Sequence, residues 1–285
     1  MDQGNWRIRK IMDHFAKITF LSATFFGIAF LGILLYQIVS DGAGWLTWDF
    51  FTNFSSRFPA KAGVAAALVG SIWIIMLTGP IAFFLGVGTA LYLEEYTKKS
   101  WFTRLIQVNI HNLAGVPSIV YGILGLAVFV QGLMLGQAVL AGVFTMSLLV
   151  LPIIVVSSQE AIRSVPQHMR NASYALGASK WQTISRVVIP TALPNILTGV
   201  ILALSRAIGE TAPLVVVGAL TFVSFVPASP MDPFTVLPIQ IFNWTSRPQD
   251  DFRAVAAAGI IVLLVVLLTM NLLAVYLRNK YQKRY

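Results

Sequence analysis

The chain contains no cysteine and few charged residues. None of its 285 residues can form a disulfide bond or supply a thiolate to a metal. Only 11% of the residues are charged, against roughly 25% in soluble domains, whereas 57% are hydrophobic. This composition excludes a disulfide scaffold, a disordered regulator and a soluble enzyme domain, and it indicates a membrane protein.

Several catalytic motifs are also missing from the sequence. There is no G-x-x-x-x-G-K-[ST] loop to cradle the phosphates of ATP, and there is no H-E-x-x-H or G-x-S-x-G segment. The three histidines, His14, His111 and His168, are too scattered to indicate a metal site. We therefore expect a chain that is not an enzyme and that holds no metal or other cofactor.

Long apolar runs dominate what is present. Each is about 20 residues or longer, which at 1.5 Å per residue is enough to cross a hydrocarbon core of about 30 Å. We predict an all-α polytopic membrane protein with six transmembrane helices, the first of which is an anchor and not a cleaved signal peptide. The predicted spans are Ile18 to Val39, Val64 to Leu93, Val116 to Leu135, Ala138 to Ser157, Pro194 to Val226 and Ala254 to Leu277.

The distribution of Lys and Arg predicts the orientation. Most of the 20 basic residues lie before the first span, after the second, after the fourth and after the last. Because cytoplasmic loops carry the basic excess, both termini are expected in the cytoplasm. The net charge of +9 is then a topology signal and a contact with membrane lipid, with no nucleic acid as partner. The predicted division is a cytoplasmic segment (1–17), a first helix with its outer loop (18–63), a core (64–277) and a basic tail (278–285).

Two outer loops, Asp41 to Gly63 and Pro227 to Arg253, are rich in aromatic residues. We expect Trp45, Phe50 and Trp244 at the level of the lipid headgroups, where aromatic side chains are enriched. These loops could also receive a partner protein.

The cytoplasmic loop Ser158 to Pro190 is patterned as two short helices. Capping boxes at Ser164 and Ser179 are expected to open them, and Gly177 and Pro190 to end them. Each helix has one apolar stripe that must be buried, for example Met169, Ala172 and Leu176 in the first. From the pattern alone, the helices could lie on the inner leaflet or cover the end of the bundle.

This loop resembles the EAA loop of ABC importer permeases. Asn171-Ala172-Ser173 is followed by Gly177 and then by Val187-Val188-Ile189-Pro190, at the spacing of E-A-A, G and I-x-L-P in that family. Asn171 departs from the acidic residue of the family. The resemblance implies a coupling helix that docks on a cytoplasmic ATPase. The residues it assigns to coupling are Asn171, Ala172, Ser173, Leu176, Gly177 and Pro190.

Three further segments resemble the permease subunits of phosphate importers. They are Ala114 to Gly122, Leu204 to Pro213 and Phe242-Asn243-Trp244. The resemblance implies a type I importer permease fold, alternating access, and residence in a bacterial inner membrane. It also implies four partners: a homologous permease subunit, an ATPase dimer carrying ATP and Mg²⁺, a periplasmic or lipid-anchored phosphate-binding protein, and phosphate itself. The length and tail look more like the shorter of the family's two permease subunits.

Arg206 and Glu210 fall inside the predicted fifth span, where a charge costs about 2.5 to 3.5 kcal/mol. Their spacing places them on one face of a helix, so they could be a structural pair that fixes helix rotation. Alternatively, this face lines a path for an anion, since the arginine fork matches phosphate oxygens. Further residues expected along such a path are Ser205, Thr211, Ser118 and Tyr121.

Three rival functions remain open. A permease for another oxyanion, such as molybdate or sulfate, would have the same coupling loop. A secondary transporter or channel would need no ATPase. A structural membrane scaffold would have no obvious use for Arg206 and Glu210 within the membrane.

Overall fold

The protein is largely helical over the residues that its computed structural model describes, 3–98, 100–219 and 222–281. Parts of the predicted N-terminal segment and tail, together with Lys99, lie outside these residues. The first six α-helices are α1 (Gln3–Gly42), α2 (Trp48–Thr52), α3 (Ala65–Leu91), α4 (Trp101–Ala114), α5 (Ser118–Gly125) and α6 (Val139–Arg163). The others are α7 (Gln167–Ala175), α8 (Lys180–Thr183), α9 (Ile189–Ile208), α10 (Ala212–Val217), α11 (Leu237–Thr245) and α12 (Asp251–Tyr281).

Five continuous helical stretches are long and apolar enough to cross a membrane, and a bent pair makes a sixth. The prediction of an all-α protein with six spans is confirmed. The bent pair joins α4 to α5, which continues as a π-helix to Gly132, at an angle of 105°. The Tyr121 hydroxyl donates to the Leu113 carbonyl across this bend at 2.7 Å. The third span thus begins at Ser118, and the helix before it was not predicted.

The main core lies where α3 and α9 pack on either side of α6. Ile154 and Ile162 of α6 and Ile196 of α9 are completely buried there. Glycines allow the close approach, because a Cβ on Gly86 would lie 2.6 Å from the Ile154 side chain and one on Gly199 would lie 2.3 Å from Ser157 Oγ. By contrast, α1 packs against α12, and within the described chain none of its most apolar stretch is buried.

The predicted fifth span, Pro194 to Val226, is wrong as a continuous helix. The spanning helix is Lys180–Ile208, formed by α8, a π-helical turn (Ile184–Val188) and α9. It ends before Gly209, the short α10 follows, and the chain then continues without helix from 222 to 236. Gly209 and Pro213 make such a break easy, since glycine weakens a helix and proline is accepted only in a first turn. Leu220 and Thr221 lie outside the described residues.

Aromatic residues of the two outer loops form a second buried cluster. Phe50, Trp244 and Phe252 belong to it, and the rings of Phe50 and Trp244 are 5.9 Å apart. Phe50 and Trp244 therefore pack against protein, and their position at the headgroup level stays a prediction. Both rings are buried against each other and against residues of α12.

Candidate functional site

The break after α9 lies near the middle of the helical bundle. Gly79, in the middle of α3, faces the end of α9, since a Cβ on Gly79 would lie 3.4 Å from Leu204 Cδ1. Arg206 sits in the last turn of α9, and Glu210 follows directly after the break. The Arg206 Nε atom donates to Glu210 Oε1 at 3.3 Å. The i,i+4 pair predicted from the sequence is thus formed at a helix end, not within a helix.

The Arg206 guanidinium is largely exposed on the surface of this chain. Its side chain is 55% exposed, whereas that of Glu210 is 17% exposed. Glu210 engages only Nε, and within the described residues neither Nη atom of Arg206 has a hydrogen-bond partner. Two parallel N–H donors on a permanently charged, accessible fork suit a tetrahedral oxyanion. The arrangement can bind an anion without first breaking a closed salt bridge.

The hydroxyls of two other predicted path residues already have partners in the chain. Ser205 Oγ donates to the Ile201 carbonyl at 2.7 Å and contacts the amide oxygen of Asn271 on α12. Tyr121 is buried, and its hydroxyl closes the α4–α5 bend. Both residues therefore have a structural role in this conformation, and a role in the path stays a prediction.

Ser118 and Thr211 lie on elements that pack together. Ser118 opens α5 and Thr211 directly precedes α10. The two helices approach closely because a Cβ on Gly122 would lie 2.8 Å from the Pro213 Cα. The structure thus brings the third predicted span beside the break that follows Arg206.

The coupling segment is partly as predicted. The Ser179 capping box is confirmed, with Gln182 N donating to Ser179 Oγ at 3.3 Å and Ser179 N donating to Gln182 Oε1 at 2.8 Å. Gly177 has φ +80°, which explains why α7 stops just before it. The capping box at Ser164 is wrong, because Pro166 precedes α7 and the Ser164 hydroxyl donates to the Ala161 carbonyl at 2.8 Å.

The second coupling helix does not end near Pro190. It continues into the membrane as α9, and Pro190 lies in the first turn of that helix, directly after the π-helical turn. Proline lacks an N–H and its ring crowds the carbonyl four residues earlier. The wider π turn accommodates this, so Pro190 marks a local change in helical winding. The predicted loop start at Ser158 is also too early, because α6 extends to Arg163.

The residues of the EAA-like motif lie on the surface of α7 and just beyond it. Asn171 and Ala172 are exposed, and the Leu176 side chain is 89% exposed. Asn171 Oδ1 accepts from Gln167 Nε2 at 3.3 Å, and Ser173 Oγ lies 2.9 Å from Thr183 Oγ1 of α8. Ala172 and Leu176 were expected to be buried and are left uncovered by the described chain. This stripe is consequently free to contact a second protein.

Sequence reasoning missed two acidic residues that hold the coupling segment. Glu94 and Glu95 lie in a π-helical turn, Tyr92–Tyr96, that continues α3. Glu94 accepts from Arg163 Nη2 at 2.6 Å and from Gln159 Nε2 at 2.8 Å. Glu95 accepts from Arg170 Nη2 at 3.0 Å. The sequence did contain a signal for these contacts. Two adjacent glutamates end an apolar run, and basic residues lie in the loop that follows the fourth predicted span.

Known proteins resemble this chain in sequence and in fold. A family model described as the inner-membrane component of binding-protein-dependent transport systems matches residues 82–283. The probable ABC transporter permease protein YqgI of Bacillus subtilis is 34% identical over 97% of this chain and 98% of its own length. The phosphate transport system permease protein PstA of Yersinia pestis is 31% identical over 94% of this chain and 90% of its own.

A solved bacterial alginate ABC transporter, in complex with a periplasmic protein bound to an alginate pentasaccharide, contains a chain of the same fold. Its TM-score is 0.67 at 16% identity, and the match covers 94% of this chain and 95% of that one. The present chain belongs to the family of inner-membrane components of binding-protein-dependent transport systems. More particularly, it is a permease subunit of an ABC importer with the type I fold, and ATP hydrolysis belongs to a separate subunit. The prediction that the chain is a transporter subunit, not an enzyme, is confirmed.

Proposed function

We propose that this permease carries inorganic phosphate across the bacterial inner membrane. The observation that carries the proposal is the open Arg206 fork at the break after α9, with both Nη atoms unpaired in the described chain. The relative from Yersinia pestis, a phosphate transport permease, supports the choice of oxyanion. Molybdate and sulfate are the alternatives against which it must be tested.

The proposed chemistry separates capture from release. Arg206 donates two hydrogen bonds to phosphate oxygens, and it stays charged at every relevant pH. Glu210 can accept a hydrogen bond from the P–OH group of HPO₄²⁻, which keeps its proton, while the negative charge of Glu210 limits how tightly the anion is held. Because the Arg206 side chain is 55% exposed on the surface of this chain, a second subunit would complete the path. Ser118, Tyr121, Ser205 and Thr211 remain proposed path residues.

The proposed assembly has four kinds of component. A second, PstC-like permease subunit would face Arg206, and a periplasmic or lipid-anchored binding protein would dock on the outer loops. The alginate transporter solved with its periplasmic protein supports the latter arrangement. An ATPase dimer holding ATP and Mg²⁺ would contact the uncovered Ala172 and Leu176, and this chain itself would hold no cofactor. The basic clusters support a cytoplasmic location for both termini and for this ATPase contact.

Uptake of labelled phosphate tests the substrate. It would be measured in cells that lack this chain and in the same cells supplied with it, with labelled sulfate and molybdate as controls. Loss and restoration of phosphate uptake alone supports the proposal. If sulfate or molybdate uptake responds and phosphate uptake does not, the anion is wrong although the fold and family stand.

A further inference from the structure

The amphipathic helix α4 exposes an apolar face that the described chain does not cover. Ile106 and Ile110 pack against the main core, whereas Phe102, Leu105 and Val108 are exposed. Trp101, at the start of the helix, is 77% exposed. A 105° bend at the start of a span and an uncovered apolar face are typical of a helix that lies along the membrane surface. Its tryptophan marks the headgroup level.

A cavity of 630 Å³ opens between α4 and the π-helical end of α3. Its lining includes Glu94, Lys98, Trp101, Arg104, Gln107 and Arg163. The cavity is much larger than a single phosphate ion needs. It borders both the polar end of α3 and the exposed Trp101, so a ligand in it would contact the headgroup layer.

The charges of this cavity are unbalanced. Its carboxylate, Glu94, is already satisfied by Arg163 and Gln159. In contrast, Lys98 and Arg104 have no ion-pair partner among the residues the structure describes. Two cations therefore line the cavity without a counter-charge. Such a site attracts an anion from the headgroup layer beside it.

We propose that this cavity binds the phosphate group of an anionic phospholipid in the leaflet on the coupling side. Lys98 and Arg104 would hold the phosphate, Trp101 would lie beside the glycerol region, and the acyl chains would extend along the apolar face of α4. A free phosphate ion shares the headgroup chemistry, but it would gain nothing from that apolar face. The site adjoins the Glu94–Arg163 pair at the end of α3, so bound lipid would fix the position of this end.

Lipid retention by the assembled transporter tests the proposal directly. The complex with its ATPase would be purified from vesicles containing equal amounts of phosphatidylglycerol and phosphatidylcholine, and retained lipid would be counted by native mass spectrometry. We expect selective retention of phosphatidylglycerol. Lys98→Gln and Arg104→Gln should each weaken retention about fivefold, and the double variant about 25-fold. Both side chains are exposed, so folding should be preserved, and an unchanged melting temperature verifies this.

The matched control is Lys17→Gln with Arg186→Gln, which removes two exposed cations outside the cavity. An equal loss of lipid in this control would overturn the site, since it would show a general effect of charge. Absence of selectivity in the wild type would overturn it as well. Displacement of the lipid by millimolar inorganic phosphate would assign the cavity to a free ion instead. The assay uses no transport step, so its result is separate from that of the uptake experiment.

Discussion

Arg170 of the coupling helix α7 donates to Glu95 at the end of α3 at 3.0 Å. The two side chains are only 13% and 11% exposed, and Arg170 also donates to the carbonyls of Ile162 and Val165. A charge pair this enclosed is costly to break, because the remaining charge is left without a partner. The surface that carries the EAA-like motif is therefore linked to the end of a core span, and we expect movement of α7 to be transmitted to α3.

Replacing Arg170 by Gln should uncouple ATP hydrolysis from transport. We expect phosphate uptake to fall at least tenfold, while ATPase activity in proteoliposomes no longer responds to loaded binding protein. The control is His168→Ala, an exposed neighbour on the same helix that is not among the hydrogen-bond partners of Arg170. Normal uptake by an assembled Arg170→Gln complex would contradict the role of the pair.

Arg206→Ala should abolish uptake while membrane insertion stays normal, because the open guanidinium supplies the proposed anion contact. Arg206→Lys should retain part of the activity, since it keeps the charge but loses the planar fork. Arg9, an exposed arginine near the start of α1, provides a matched control in Arg9→Ala. Full transport by Arg206→Ala would leave the structural-pair alternative for Arg206 and Glu210.

Gly70→Ala should destabilise the permease by about 1 to 3 kcal/mol. A Cβ at position 70 would lie 2.0 Å from the carbonyl oxygen of Thr235, and this backbone cannot yield as a flexible side chain would. Gly88→Ala is the control, because a Cβ there meets nothing within 4 Å. The melting temperature of the purified complex should fall for the first variant and not for the second. Equal melting temperatures would contradict the close packing of the segment after α10.

Gly177→Ala should strain the coupling segment by about 1 to 2 kcal/mol, since φ +80° is unfavourable for a residue with a Cβ. Open space surrounds the position, so this effect is conformational and not a clash. Gly177→Asn should be tolerated better, because asparagine accepts this conformation. Titration of ATPase onto the permease should show weaker binding for Ala than for Asn. The reverse order would show that the backbone angle does not matter for docking.

Local signals in the sequence predicted several elements correctly. Long apolar runs predict membrane-spanning helices, because inside lipid each segment must form the hydrogen bonds of its own backbone N–H and C=O groups. The Ser179–Gln182 box and the stop at Gly177 depend on neighbouring residues alone, and both are present. The Arg206–Glu210 pair followed from helical spacing, although its setting at a helix end did not.

The sequence by itself determined that the chain is membrane-embedded, helical and six-spanning, since hydrophobic burial depends on composition over about 20 residues. Only the tertiary structure decided where the chain changes direction. An apolar residue can face lipid or protein equally well, so its identity predicts neither the break after Ile208 nor the buried Phe50–Trp244 contact. Likewise, the partners of Glu94 and Glu95 come from residues more than 60 positions away. Such contacts depend on packing between helices, which periodicity within one helix does not encode.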